Sequence, residues 1–408
     1  MAIARDQDVE LTVTTLAHGG LGIARLDGRV VFVSDAIPGE TVRARVNEQK
    51  KSFWRADTIE VLEASPHRRE HIWAEASVSR APEDRAGGAD LGHINLPHQR
   101  ELKQQVLRES LARFAKVERD TPVEPAPGDT GVNGLGYRTR VSLHVAAGGT
   151  VGPYAARSNR VIPVASLPLA TAEVAAAAPI GQKMVGVQRV DVLIAAEGGA
   201  RLIIDEQSPS PIIERVGERE FQLDDGGFWQ VHRSAAQVLT SAVQDAIIDE
   251  RFDASAENLD LYGGVGLLAA AVGDKFGEKT RITSVESDER ATEHAAENLA
   301  DWLGARVVNA RVDRFLGDLE GSLGTKGAKG ATVVLDPPRA GAGREVVQRL
   351  VALAPAQIVY VACDPVAFSR DVGYFAELGW RLDKLRAFDL FPHTHHLEAV
   401  GTLVPIDA

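Results

Sequence analysis

The sequence predicts an α/β chain with three parts: a small β-barrel or sandwich first, a mostly β region next, and a parallel sheet covered by helices last. Three observations predict this. With 408 residues the chain exceeds the ~150 of a typical domain, so more than one folding unit is expected. Between residues 9 and 61, short β-rich runs are separated by the glycine-bearing turns HGGLG, LDGR and AIPGE, the texture of a small barrel. From about residue 220, apolar runs that end in small residues (NLDLYGG, RITSVESDE, ATVVLDPPR, QIVYVACDP) alternate with helical stretches such as LLAAAVGDKF and GREVVQRLVAL. Continuous apolar strands alternating with helices indicate a parallel sheet covered on both faces. The expected boundaries are 6–64, 65–215 and 216–408.

Composition bounds the function. At 44% hydrophobic and 25% charged, the chain is ordinary globular material, which excludes collagen-like, mucin-like and wholly disordered classes. A net charge of -12 excludes a polycation that coats nucleic acid, though a local basic face stays possible. Cys363 is the sole cysteine. It allows no intramolecular disulfide, no CxxC zinc site and no cysteine-ligated iron-sulfur cluster. No run approaches the ~18 to 20 apolar residues of a membrane span, and the opening MAIARDQDVE lacks the apolar stretch of a secretory signal. A soluble cytoplasmic protein without a membrane partner is expected, and no obligate protein partner is implied.

In the first part, residues 43–55 carry Arg43, Arg45, Lys50, Lys51 and Arg55 around Phe53 and Trp54, against one acidic residue. Basic groups track phosphates and aromatic faces accept stacked bases, the composition of a surface for single-stranded RNA. A solvated hairpin with two core aromatics is the competing reading. In the second part, residues 75–93 read as a long loop, and LPHQRELKQQVLRESLARFA from Leu96 reads as a helix entered at a proline. After the connection TPVEPAPGDTG, the runs YRTRVSLHVA, TVGPYAA, RVIPVAS, QRVDVLIAA and ARLIIDEQ have strand character.

The last part concentrates its chemistry at strand ends, where open parallel sheets bind ligands. The run NLDLYGGVG ends in Gly263, Gly264 and Gly266 ahead of a helix, letting backbone approach a ligand closely. Glu286 closes the next strand, where a carboxylate can accept hydrogen bonds from ribose hydroxyls. A nucleoside-containing cofactor follows, but Gly264, Gly266 and Ala269 also satisfy G-x-G-x-x-A, so a nicotinamide cofactor stays open here. Asp336 ends VVLD before Pro337 and Pro338, which stiffen its turn. At the tip of IVYVAC, Cys363 is placed to add to an electrophilic carbon, although Asp364 beside it opposes thiolate formation and leaves activation to another group such as Arg339. In FPHTHHLE, the histidines His393, His395 and His396 lack a second ligand group and the spacing of a zinc hydrolase, so no metal is expected. Glu398 in its apolar context suits a general base with a pKa raised by burial.

Taken in order, GGFWQVH (226–232), LDLYGGVG, VVLDPPRAG, YVACDP and FPHTHHLE resemble the RNA uracil-C5 methyltransferases, and residues 6–64 resemble the TRAM domain, a small RNA-binding barrel. The resemblance covers the whole chain. It implies a Rossmann-like class I methyltransferase domain behind a TRAM barrel and a central domain. It also implies S-adenosylmethionine as cofactor and methyl transfer to C5 of a uridine in tRNA or rRNA. Gln230, Tyr262, Gly264, Gly266, Glu286 and Asp336 fall at its cofactor positions, Cys363 at its nucleophile and Glu398 at its base. The departures are Gly263 for a frequent cysteine, Asp364 for asparagine, and the loss of the four cysteines by which some relatives hold an iron-sulfur cluster. Methyl transfer to another nucleobase position, or a catalytically inert RNA-binding protein, are the alternatives.

Overall fold

The computed structural model describes residues 7–323 and 328–406, so part of the Gly/Ala-rich stretch 321–331 and the first six residues of the opening lie outside the described residues. The chain begins with five strands: β1 (Asp8–Leu16), β2 (Gly22–Leu26), β3 (Arg29–Ser34), β4 (Thr41–Gln49) and β5 (Phe53–Glu63). They close a barrel in the order β1-β2-β3-β5-β4, which leaves no free sheet edge. Period-two alternation turns Val9, Leu11 and Val13 inward against Val31, Val33, Val42, Ala44, Val46 and Trp54.

The loop expected at 75–93 contains only short 3-10 turns at Ala74–Ala76 and Pro82–Asp84. It is nonetheless anchored. Buried Arg85 donates to Asp35 Oδ2 at 2.8 Å and to the Thr58 carbonyl at 2.8 Å, tying the loop to the barrel. Helix α1 (Leu96–Ser110) follows, with Pro97 in its first turn and an N-cap at Asn95, whose side chain accepts the His98 N–H. Next come the short strand β6 (Val123–Pro125) and the central strands β7 (Arg140–Val145) and β8 (Val151–Gly152). Helix α2 (Ala172–Ala177) leads to β9 (Arg189–Ile194) and β10 (Ala200–Ile204), which complete an antiparallel sheet in the order β10-β9-β7-β8. The expected strand character of RVIPVAS is corrected to a single Tyr154–Val161 bridge, because Pro163 interrupts the run and cannot donate to a ladder.

A hairpin, β11 (Pro211–Val216) and β12 (Arg219–Asp224), leads to helix α3 (Ala235–Ala246) and the large sheet. In chain order that sheet adds β13 (Asn258–Leu261), α4 (Leu267–Phe276), β14 (Ile282–Glu286), α5 (Glu289–Asn298), β15 (Ala305–Asn309), α6 (Val312–Leu323), β16 (Thr332–Leu335), α7 (Gly343–Ala352), β17 (Gln357–Ala362), α8 (Pro365–Glu377), β18 (Trp380–Asp389) and β19 (Glu398–Pro405). The strand order is β15-β14-β13-β16-β17-β19-β18-β6. Strands β13 to β17 run parallel, while β19 is antiparallel to both neighbours. Every residue of β13, β16 and β17 is buried, which explains their largely apolar texture, Asp260 in β13 being the buried exception in charge. Val333, Leu335, Ile358 and Tyr360 pack with residues of α1, α7 and α8 on one face. Val334, Val359 and Val361 pack with α3 and α4 on the other. Helix α1 and strand β6 therefore serve the large sheet, although their sequence lies within the 65–215 region. Among the described residues no helix is long and apolar enough to cross a membrane.

Candidate active site at the carboxyl edge of the large sheet

The carboxyl ends of β13, β14, β16 and β17 open onto a cavity of about 1490 Å³. Gln230, Tyr262, Gly264, Glu286, Asp336, Cys363 and Glu398, singled out from sequence, all line it. Gly266 does not. It caps α4 with φ +91°, and a Cβ there would sit 3.1 Å from Leu299, so its glycine serves the turn and helix packing behind the cavity wall.

The glycine turn fits a nucleoside. Tyr262 is left-handed at φ +63° and Gly264 at φ +54°, so the backbone reverses sharply at the end of β13. A Cβ on Gly263 would lie 2.1 Å from Ser284 Oγ and 2.7 Å from Asp260 Oδ2, which excludes any side chain. The Gly264 N–H donates to Glu286 Oε2 at 3.1 Å, while Glu286 Oε1 accepts the Ser287 and Asp288 N–H groups at 2.6 and 2.8 Å. These bonds hold the carboxylate at the cavity wall, positioned to accept from a sugar hydroxyl.

Acidic groups gather behind this turn. Asp260 is wholly buried in β13, accepts Ser284 Oγ–H at 2.9 Å, and is pushed up to about 6 by burial. Burial and the neighbouring Asp260 push Asp336 up to about 7. Glu398, the first residue of β19, is held well above the usual carboxylate range by burial and by Asp336. The Cys363 thiol is pushed up to about 12 by burial, then by Glu398 and Asp336; Arg339 pulls the other way and Asp364 adds to the rise. The resting thiol is therefore neutral, and a nearby positive charge is needed to make it a nucleophile.

Asp364 is engaged on both sides. Its Oδ1 caps α8 by accepting the Val366 and Ala367 N–H groups at 3.0 and 2.8 Å, and its Oδ2 lies 2.8 Å from His18 Nε2 in the barrel. Burial opposes ionisation, but His18 and the helix N–H groups outweigh it and hold the carboxyl low. The histidines of FPHTHHLE are braces. His393 meets Gln99 Nε2 at 2.9 Å and the Asn133 carbonyl at 2.8 Å, His395 meets Asp90 at 2.6 Å, and His396 meets Arg339 at 3.4 Å. Burial pushes His393 down to about 4 and, with His395 and Arg339, His396 down to about 3.

The candidate RNA residues of the barrel lie apart from this cavity. Trp54 is in the barrel core with the Arg29 guanidinium 4.7 Å over its ring, so its face is not offered to a base; this corrects its assignment to the stacking surface. Phe53 packs edge-on against Phe32 at 5.4 Å, with Arg55 5.7 Å above it. Arg43 pairs with Glu60, Arg45 with Asp8 at 2.9 Å, and Lys50 and Arg55 with Glu48 at 2.9 and 3.2 Å. Lys51 is exposed at the β4–β5 turn. Arg45 and Arg55 line a second groove, about 1430 Å³, between the barrel and the central region.

Sequence reasoning missed Asp260, whose signal was a carboxylate between two leucines of a strand. It read HGGLG only as a turn, and nothing local marked His18 as a neighbour of Asp364.

Comparison with known proteins matches residues 5–59 to the TRAM domain family and residues 220–405 to the family described as tRNA (Uracil-5-)-methyltransferase. An uncharacterized RNA methyltransferase of Streptomyces avermitilis is 37% identical, over 98% of this chain and 98% of the relative. One from Bifidobacterium longum is 33% identical, over 96% and 95%. Among solved structures, the Pyrococcus abyssi tRNA (uracil-54, C5)-methyltransferase in complex with S-adenosyl-L-homocysteine superposes with a TM-score of 0.71. At 22% identity, over 97% of this chain and 99% of that one, this is a likeness of fold.

Proposed function

Because the chain belongs to the tRNA (uracil-5-)-methyltransferase family and is an S-adenosylmethionine-dependent RNA methyltransferase, we propose that it methylates C5 of a uridine in tRNA or rRNA through a covalent bond from Cys363 to C6. The observation that carries this reading is the shared cavity: Cys363, Asp336 and Glu398 line the same space as the Gly264–Glu286 cradle. S-adenosylmethionine, when bound, supplies an electrophilic methyl group on a positively charged sulfur.

The residues divide the work. Glu286 and the turn at Gly264 hold the nucleoside end of the cofactor, with Gln230 and Tyr262 on the cavity wall beside it. The Cys363 thiol gives up its proton to solvent as Sγ bonds to C6 of the flipped-out uracil, the C5=C6 double bond opens to an enolate, and C5 becomes electron-rich enough to accept the methyl group. Glu398 then takes the proton still held by C5 beside the new methyl group, the C5=C6 bond re-forms, and Sγ is expelled as thiolate and recovers a proton from solvent. The one net proton released is that of C5. Glu398 suits this task because burial and Asp336 raise its affinity for a proton. Extruding the base costs a few kcal/mol, which RNA contacts from the barrel and central region offset.

The test is RNA carrying 5-fluorouridine, whose C5 has no proton to surrender. The wild-type enzyme should form an adduct that survives denaturation, and Cys363→Ala should form none and lose methyl transfer to tRNA and rRNA. Persistence of the adduct in Cys363→Ser, or methylation by Cys363→Ala, would overturn the nucleophile assignment.

A further inference from the structure

The loop between β1 and β2 brings the barrel to the reaction centre. It turns through Gly19 and Gly20, both left-handed at φ +95° and +75°. Gly20 packs so tightly that a Cβ there would stand 3.2 Å from His395 Cβ and 3.3 Å from Asp90 Cβ. The turn delivers His18 to the residue that follows the proposed nucleophile, with Nε2 2.8 Å from Asp364 Oδ2. We infer that His18 is a positioning residue for the reaction: through Asp364, the barrel fixes the Cys363 loop and draws the adjacent carboxylate charge away from the sulfur.

This inference rests on the proposed role of Cys363, and two features of the geometry argue for it. The first is that Asp364 is held from both ends, since Oδ1 is committed to two N–H groups of α8 and Oδ2 to His18. A carboxylate bound at both oxygens cannot swing, so the backbone that carries Sγ is fixed with it. The second is electrostatic. Asp364 is among the charges that hinder thiolate formation, together with Glu398 and Asp336, and Arg339 opposes them. A hydrogen bond from His18, added to the partial positive charge at the start of α8, turns the density of that carboxylate toward the barrel. Other groups face the pair too. The His395 ring meets His18 edge-on at 5.8 Å and is itself bonded to Asp90, while Arg339 reaches His396 next door. The carboxylate contact of His18 is with Asp364, the one beside the sulfur, while Asp90 is taken up by His395.

Because Cys363 is the sole cysteine, its alkylation by iodoacetamide in the full-length protein, without RNA or cofactor, reads thiolate formation directly. His18→Ala should slow alkylation about threefold to tenfold at mildly alkaline pH and displace its rise to higher pH. Asp364→Asn should speed it, and adding His18→Ala to Asp364→Asn should change the rate by less than about twofold. His18→Gln, which keeps one N–H, should restore part of the rate. A structural defect from His18→Ala would appear equally in both backgrounds, so equal slowing in both, or no slowing in either, overturns the inference. In methyl transfer, His18→Ala should lower kcat with KM for RNA within about twofold. If the alkylation coupling appears while kcat is untouched, the contact is real and the nucleophile assignment is what fails.

Discussion

The barrel face and the sheet edge treat charge in opposite ways. On the barrel, Arg43, Arg45, Lys50 and Arg55 stand in solvent beside Glu60, Asp8 and Glu48, in pairs whose side chains are about 37 to 57% exposed. Such pairs contribute ~0 to 1 kcal/mol and can be exchanged for other partners at little cost. At the sheet edge burial raises the proton affinity of Asp260, Asp336, Glu398 and Cys363, and charge adds to it along the row: Asp260 acts on Asp336, Asp336 on Glu398, and both Glu398 and Asp336 on Cys363. There the fold keeps buried acids at a cost in stability that amides or aliphatics of the same size would not carry. The barrel's charges can be tuned singly, whereas the site's charges act as a coupled set.

The sharpest test of that coupling is Glu398→Gln. An amide of the same shape removes the proton acceptor while leaving the cysteine in place. Turnover on ordinary RNA should fall at least about a hundredfold, with the methylated adduct trapped on the enzyme. Rapid and complete turnover would take Glu398 out of the reaction and leave the acid cluster without its expected purpose.

A second test separates stored charge from solvated charge by stability alone. The Asp336 carboxyl is raised from its ordinary 3.8 to about 7 in the folded state. Below pH ~4 both folded and unfolded chains hold the proton, and between there and about pH 7 the unfolded chain ionises first, so folding stability drains away as pH rises. Asp336→Asn cannot ionise. Its melting temperature should exceed that of the wild type by a few degrees near pH 8 and match it near pH 4, while methyl transfer is lost. An equal shift at both pH values would show that the effect is packing and that Asp336 is not held against ionisation.

The legibility of the molecule follows the same division. Strands β16 and β17 were readable because burial on both faces leaves mostly apolar residues, and Asp336 and Cys363 just past their ends stand out against that background, whereas Asp260 inside β13 was hidden by the leucines on either side of it. The helix at Leu96–Ser110 was readable from its period, but its destination on the large sheet was not, since nothing in an amphipathic face names its partner. Strand β15, only partly buried, sent no comparable signal. Trp54 shows the limit most plainly. Composition cannot tell a ring that stacks on a base from one that fills a barrel, because only the phase of the alternation along β5 decides, and Trp54 falls on the inward phase. The His18–Asp364 contact joins residues far apart in the chain through the docking of two units, which no local pattern encodes.

The smallest expected effect belongs to the barrel and bears on whether its charges face RNA at all. Glu48 is shared by Lys50 and Arg55. If that face meets phosphates, Glu48 competes with the RNA for both cations, and Glu48→Gln should strengthen RNA binding about twofold to fivefold at low salt, with a steeper dependence on salt concentration. Because the pairs are exposed, the melting temperature should move by less than about a degree. The sign is what matters: removing a carboxylate from a surface that RNA does not touch improves affinity only through weak long-range attraction, which salt near 0.15 M screens beyond ~8 Å. A gain that survives at that ionic strength places the phosphates against Lys50 and Arg55. A gain that vanishes there moves the RNA path away from Glu48 and with it off the β4–β5 face.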